Sequence, residues 1–408
     1  MSLDVRPITY EQAGVSLDAA EMIVERIGKV TESTRRTGVL GSLGGFAGCF
    51  ALAPGAYDRP VLVSSTDGVG TKLQVAQAMS AFGGIGIDLV AMCVDDLVCT
   101  GAEPLFLLDY LAVSRLDPDV VEEIVSGIAH GCRLAGCSLI GGETAEHGIG
   151  DGDGPNISGD VSIGKHAAAD GGGGGTDGTS VASVAGGKDL AGATNADGGA
   201  GDAAVDGRCR VLDLAGFAVG VVELGRMLGS QNVVPGDVLV GLRSPGLRSN
   251  GYTLARHVLL GRAGMSLEDP AWKGAGNSLG QELLLPSVIY TPVVRDALST
   301  GGIHAIAHIT GGGIPGNLKR VLSPACDGIV NVSSWDRPRI FSEIQRLGNA
   351  EEEEMLRVFN LGIGMIVIAG VEQRDSVLDA LNRQGVEACV IGQVREGSGK
   401  VIIKGMDV

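Results

Sequence analysis

The chain has 408 residues, 44% of them hydrophobic and only 3% aromatic, and a formal net charge of −17. That length is enough for two or three domains with ample core. So acidic a chain argues against nonspecific nucleic-acid binding and against attraction to an anionic membrane, yet a nucleotide needs only a local positive site or a metal.

Eight cysteines are scattered through the sequence without a C-x-x-C pair, most of them in apolar runs. Buried free thiols in a reducing compartment are the expectation. The opening residues, MSLDVRPITYEQAG, hold neither an apolar leader core nor an Arg/Ser-rich amphipathic one, and no run approaches a membrane span. A cytoplasmic protein is expected.

Ser16–Lys29 carries Leu17, Ala20, Ile23, Val24 and Ile27 on one helical stripe, with Ser16 as a candidate N-cap. GSLGGFAGCF follows at 41–50, a glycine-rich run that either turns tightly or lies against a ligand. Pro60–Val63 reads as a buried strand opening into SSTDGVGTK at 64–72. There Asp67 stands at the strand's end, Gly68 and Gly70 allow close backbone approach, and Thr71 and Lys72 close the turn. A carboxylate, free amides and an ammonium in so short a span suit a metal–phosphate group; a solvated turn with a chance lysine is the alternative. The spacing is not that of a Walker A loop.

Gly83–Thr100 is apolar enough for a helix buried on most sides, apart from Asp88, Asp95 and Asp96. Asp88 and Asp95 share a face and Asp96 lies about 80° round from Asp88. Buried charges need partners or a metal. Metal or phosphate chemistry is therefore read most strongly at Asp96, against a helix-dipole contact for Asp88 and an exposed edge for the other two. Pro104–Val113 reads as a strand with Asp109 in its middle, and Asp117–Ala135 as a helix begun by Asp117 and Pro118. Cys137–Ile140 reads as a strand running into GGETAE, which sets Glu143 at a strand's end. From His147 to about Arg210 glycine, alanine, aspartate, serine and threonine dominate; this is read as a disordered, mildly acidic insertion extruded between two strands. The strand pattern resumes at Asp213–Glu223.

A second domain is read from about Leu224. After the strand Asp237–Leu242, RSPGLRSNG places Arg248 and Ser249 before a helix that Asn250 could cap, where they could meet an anion. Thr291 and Pro292 start a helix to about Leu298. The strand Ile303–Ile309 carries His304 and His308 and opens into TGGGIPG, read as a phosphate-type loop with Pro315 near the first helical position. His308 at that mouth is either a ligand-binding group or a structural histidine. Met365–Ala369, Ala388–Val394 and Lys400–Lys404 read as strands, with a helix over Glu372–Gln384.

YEQAGVSLDA (10–19), GSLGGFAG (41–48), TDGVGTKL (66–73), GIDLVAMCVDDLVCTGAEPLFLLDY (86–110), GCRLAGCSLIGGETAE (131–146), DLAGFAVG (213–220), SPGLRSNGYTL (244–254), HAIAHITGGG (304–313) and EEMLRVFNLGIGM (353–365) resemble, in order, the aminoimidazole ribonucleotide synthetase (phosphoribosylformylglycinamidine cyclo-ligase) family. The resemblance covers almost the whole chain outside the insertion. It implies a mixed α/β, two-domain ATP-binding synthetase fold. Residues 1–223 would form an ATP-binding and dimerisation domain, its four-stranded sheet pairing with a second copy in a homodimer and 147–210 inserted into it. Residues 224–408 would form an α/β domain.

It also implies ATP and Mg²⁺ and formylglycinamidine ribonucleotide as substrate, while the acidic composition already points to no nucleic-acid or membrane partner. The formyl amide oxygen is phosphorylated, the amidine nitrogen attacks the activated carbon, phosphate leaves and an imidazole closes. Asp67, Asp96 and Glu143 would hold Mg²⁺. Lys72, with Gly68, Gly70, Thr71 and the backbone of Gly44, Gly45 and Phe46, would hold ATP. Ser249, Asn250, His308, Gly311, Gly312 and Gly313 would line the substrate side. Three features depart from the family's pattern. The insertion replaces a Met-Pro-Gly-like turn and a tyrosine, Ser287 and Val288 stand where a threonine and a basic residue are usual, and Asp95 stands where asparagine is usual.

Overall fold

The computed structural model describes residues 17–41, 47–147 and 209–405. Ser16, Gly44, Gly45, Phe46 and nearly all of the 147–210 insertion lie outside the described residues.

The amino-terminal half runs α1 (Leu17–Glu32), β1 (Val39–Leu40), β2 (Cys49–Phe50), β3 (Pro60–Gly68), α2 (Lys72–Met79), α3 (Gly83–Val98), β4 (Glu103–Val113), α4 (Pro118–Ala135), β5 (Ser138–Glu146) and β6 (Val211–Glu223). Four strands form one sheet in the order β3-β6-β4-β5, with β4 and β5 parallel and the other pairs antiparallel. Helices α3 and α4 cover one face and share its core, in which Leu89, Val90, Leu107, Ile124, Ile128 and Leu214 are fully buried. Their backbones nearly touch: a Cβ on Gly86 would lie 2.4 Å from the Ile128 amide nitrogen, and one on Gly127 would lie 2.1 Å from the Gly83 carbonyl oxygen. Only glycine permits that approach, which seats α3 and its aspartates tightly against α4. Helix α4 starts as its sequence dictates, the Asp117 carboxylate accepting from the amides of Asp119 and Val120.

The carboxy-terminal half contributes β7 (Val238–Arg243), α5 (Tyr252–Arg256), α6 (Leu279–Leu283), α7 (Thr291–Leu298), β8 (Ile303–His308), α8 (Gly313–Leu318), β9 (Cys326–Asn331), α9 (Arg339–Gly348), α10 (Glu352–Val358), β10 (Ile363–Ala369), α11 (Arg374–Asn382), β11 (Ala388–Glu396) and β12 (Val401–Lys404). Six strands form the second sheet in the order β12-β9-β11-β7-β10-β8. The central strands β7 and β10 are buried almost throughout, as their near-continuous apolar runs require. The fold is thus the expected mixed α/β architecture with a four-stranded amino-terminal sheet.

Several local expectations are corrected. β3 continues from the apolar run through Gly68, because β6 supplies a partner for every residue from Pro60 onward. β5 likewise runs past Ile140 to Glu146, so Glu143 lies within a strand. Asn250 caps nothing: Gly251 takes the N-cap position of α5 with φ 79°, a conformation that suits glycine. Pro315 is the third residue of α8, whose N-cap is Gly312. All eight cysteines are free, and Cys93, Cys132, Cys137, Cys209 and Cys326 are buried. No helix among the described residues is long and apolar enough to cross a membrane.

Candidate active site

Three turns meet where the two halves face each other. One follows β3 (Gly68–Lys72), the second precedes α5 (Arg248–Thr253), and the third follows β8 (Thr310–Gly313). The Thr71 and Thr253 hydroxyls lie 3.3 Å apart. A Cβ on Gly70 would lie 3.9 Å from the Ser249 carbonyl oxygen, and one on Gly311 would lie 3.6 Å from Asn250 Oδ1. Gly70, Gly311, Ser249 and Asn250 therefore border one space. The Ser249 hydroxyl is buried without a hydrogen-bond partner, and Asn250 Nδ2 makes only a long 3.9 Å contact to Met92 Sδ. A buried hydroxyl left unpaired costs free energy unless something polar arrives to meet it.

Beside these turns stand two carboxylates, Asp67 at the end of β3 and Asp96 on α3, linked to the third turn through His308 at the end of β8. Ser65 and Asp67 alternate onto the helix-facing side of β3, and Asp96 rises from α3 to meet them. The Ser65 hydroxyl donates to Asp96 Oδ2 at 3.3 Å, and His308 Nδ1 lies 2.8 Å from Asp96 Oδ1. Asp96 keeps 45% of its side chain exposed. Partial burial works against its charge, but the contacts from His308 and Ser65 outweigh it and hold the carboxyl below the usual range. Asp67 moves the other way. Burial raises it, the Gly68 amide opposes this from 2.7 Å, and the neighbouring Asp96 charge raises it further. Two close carboxylates, one raised partly by the other, form a donor set that a hard divalent cation would relieve. Mg²⁺ in particular takes one or two carboxylates and completes its shell with water and phosphate oxygens. Among the described residues no group of three His, Cys, Asp or Glu side chains could hold a metal.

Glu143 is not brought to this pair. Across the sheet Gly68 faces Ala215, Ala215 faces Tyr110, and Tyr110 faces Glu143. Three strand spacings amount to about 14 Å, which leaves Glu143 out of reach of the Asp67–Asp96 pair. It lines a separate cavity of about 540 Å³ with Asp109, Thr144 and the α1 residues Ile23 and Ile27.

Lys72 is also elsewhere. It is fully buried, 2.5 Å from Asp88 Oδ2, donating to the Leu285 carbonyl at 2.8 Å, with the Tyr252 ring 5.8 Å away. Asp88 Oδ1 accepts from the Ser287 amide and hydroxyl. The ammonium expected on a phosphate instead neutralises a buried carboxylate and ties the two halves together.

Arg248 is likewise withdrawn from any free anion. It is 1% exposed and donates to Asp95 Oδ2 at 2.9 Å and to the Val288 carbonyl at 2.8 Å. Asp95 is no exposed edge, since its Oδ1 accepts from the amides of Tyr290 and Thr291 and from the Thr291 hydroxyl. His308, expected at the substrate, has both ring nitrogens occupied, Nδ1 by Asp96 and Nε2 by Arg248 at 3.0 Å. The glycine run at 311–313 is partly architectural. Gly313 has φ 59° and a Cβ there would lie 1.9 Å from the Leu356 carbonyl oxygen, while Asn317 Nδ2 fastens the Gly311 and Gly313 carbonyls. Gly311 alone of the three is exposed to the shared space.

Two family descriptions match the chain: "AIR synthase related protein, N-terminal domain" over residues 48–164 and "AIR synthase related protein, C-terminal domain" over 234–404. A protein of Brevibacillus brevis named phosphoribosylformylglycinamidine cyclo-ligase is 41% identical over 398 residues, which is 98% of this chain and 99% of that one. One of the same name from Trichlorobacter lovleyi is 40% identical over 96% of this chain and 95% of its own. The chain belongs to the phosphoribosylformylglycinamidine cyclo-ligase family. Solved structures share the fold at lower identity. Thiamine-monophosphate kinase from Stenotrophomonas maltophilia K279a superposes with a TM-score of 0.57 at 16% identity, covering 94% of this chain and 96% of that one. The hydrogenase maturation protein HypE in complex with ATP gives 0.57 at 17%, covering 93% and 90%.

Within this cyclo-ligase-family chain, sequence reasoning missed Ser65 and passed over Asp109. Ser65 lies two residues before Asp67, and the period of a strand continued through Gly68 would have put both on one face. Asp109 stood out as the one charge in an apolar strand; it is buried beside Gly142, where a Cβ would lie 2.2 Å from Asp109 Oδ1. Burial pushes its carboxyl up to about 7.

Proposed function

We propose that this protein catalyses the ATP-dependent ring closure of formylglycinamidine ribonucleotide to aminoimidazole ribonucleotide, releasing ADP and phosphate, in purine biosynthesis. The observation that carries the reading is about 40% identity, over nearly the full length of both chains, to proteins named for that ligation. The attack is intramolecular, so holding the amidine nitrogen against the activated carbon supplies much of the rate. No protein nucleophile is required; the chain must bind, orient and screen charge.

Asp67 and Asp96 would hold Mg²⁺, which supplies neutralisation of phosphate charge. The hydroxyl of Ser249, the amide of Asn250 and the backbone at Gly311 would orient the substrate, and Gly70 and Thr71 would face ATP. Lys72 is left out of the phosphate contacts, because its ammonium is held by Asp88. Asp96→Ala is expected to lower turnover at least 100-fold, the scale of losing one preorganised electrostatic group. The decisive assay follows ADP release with Mg·ATP, with and without formylglycinamidine ribonucleotide, alongside imidazole product. Substrate-dependent ADP matched by product supports the reading; bound ATP without product would replace it with a non-catalytic scaffold.

The domain division at 223/224, a cytoplasmic location and a homodimer belong to the same proposal. The outer face of the four-stranded sheet supports the dimer, with Leu62 66% and Phe217 47% exposed and Thr66, Phe217 and Leu108 aligned across three strands. Phe217→Asp should shift the molar mass measured by light scattering to that of one chain; an unshifted dimer would move the interface elsewhere.

A further inference from the structure

His308 sits at the end of β8, 5% exposed, between two groups of opposite charge. Its Nε2 is 3.0 Å from Arg248 Nη2, and its Nδ1 is 2.8 Å from Asp96 Oδ1. A guanidinium nitrogen only donates. Nε2 must therefore accept, its lone pair turned to Arg248, and the ring proton must reside on Nδ1, donated to Asp96.

Arg248 cannot easily turn away. Asp95 and the Val288 carbonyl hold its two terminal nitrogens, its guanidinium carbon lies 4.8 Å from the centre of the Tyr290 ring, and its backbone has φ 62°. Asp95 is itself fixed by three donors at the start of α7. A continuous set of hydrogen bonds thus runs from Thr291 through Asp95, Arg248 and His308 to Asp96. At its end Asp96 Oδ1 is occupied, while Oδ2 has only the 3.3 Å contact from Ser65, on a side chain that keeps 45% of its surface exposed.

We propose that His308 is a positioning residue, held by Arg248 as the Nδ1–H tautomer, whose hydrogen bond to Oδ1 aims Asp96 Oδ2 into the active site. This rests on the role given to Asp96 above. The family resemblance implied a substrate contact for His308, where the residues alone left a ligand-binding or a structural role open; here it acts through Asp96 and touches no reacting atom.

Two measurements test it, and they fail separately. In ligand-free protein labelled with ¹⁵N-histidine, and with His308 assigned by its loss in His308→Asn, Nδ1 should show the signature of a protonated ring nitrogen and Nε2 that of a bare one. A proton on Nε2, alone or with one on Nδ1, overturns the proposal without any variant having to fold. The second measurement is Mn²⁺ binding with ATP present. His308→Leu should weaken it about 10- to 100-fold, the usual loss when a partner orienting a metal ligand is removed. His308→Asn, whose amide nitrogen can occupy the Nδ1 position and still donate, should recover most of that loss. Equal losses in the two variants overturn the positioning role. Mn²⁺ binding unmoved by Asp96→Ala overturns the reading of Asp96 itself, and the positioning role with it.

Discussion

Helix α3 carries three aspartates that meet opposite fates. Asp88 and Asp95, two turns apart, are fully buried, and each is matched to a cation from elsewhere in the chain, Lys72 and Arg248. Asp96 is nearly half exposed, has hydrogen bonds from His308 and Ser65, and has Asp67 as its carboxylate neighbour. The first two hold the halves of the molecule together, since their further partners, Ser287, Tyr290 and Thr291, all belong to the carboxy-terminal half. The third is left for a ligand. A buried acid matched to a buried cation already has its charge offset; an acid beside another acid is where an arriving cation gains most.

Breaking a buried pair should give the largest effect. Arg248→Met leaves Asp95 charged in the core, and Lys72→Met does the same to Asp88. Each should cost about 3–5 kcal/mol in urea unfolding. The paired replacement Lys72→Met with Asp88→Leu should return most of the loss, because removing both charges removes the unpaired one. A Lys72→Met protein of wild-type stability with ATP affinity lost would instead restore the phosphate role that the sequence suggested for this lysine.

A fourth aspartate sharpens the comparison. Asp109 is buried but less completely than Asp95, no cation offsets its desolvation, and its carboxyl is pushed up to about 7 by burial. Its folded value lies above its unfolded one near 3.8, so the folded state holds the proton longer. The unfolded chain gains by ionising first, and stability falls as pH rises from about 4 to 7 and stays reduced above that. Asp109→Asn should therefore stabilise the protein at pH 8 by roughly 1–4 kcal/mol. The difference should vanish below about pH 3, under the unfolded value of 3.8, where Asp109 is protonated in both the folded and the unfolded state. Denaturant melts at the two pH values decide this; a pH-independent difference would assign the change to packing against Gly142.

What the sequence disclosed follows the range of each interaction. The Asp117 cap, the strand ending in TDGVG and the glycines after His308 are local, and local pattern was enough to find them. Helical geometry even set Asp96 apart from the face shared by Asp88 and Asp95. Partners were beyond reach. Lys72 and Arg248 are drawn to aspartates 16 and 153 positions away, and nothing near either cation says that it is spoken for. Glu143 misled for a related reason: GGETAE resembles a ligand-binding turn, but the strand order β3-β6-β4-β5 puts it three strands from Asp67. Strand order is decided by which faces the whole chain can cover, and no single stretch records it.

The smallest expected effect on stability is at Asp96. Its carboxylate is lowered by His308 and Ser65, so ionisation favours the fold and Asp96→Ala gives up that contribution. The same change removes the charge that raises Asp67, which returns part of the loss. With a side chain so exposed, the two terms should nearly cancel and leave a change within about 1 kcal/mol at pH 7.5. Salt should alter it little, because the opposing terms are screened together. Turnover, by contrast, should be lost. A large destabilisation by Asp96→Ala would place it with Asp88 and Asp95 as a structural acid, and the division of labour along α3 would fail at the residue on which the chemistry depends.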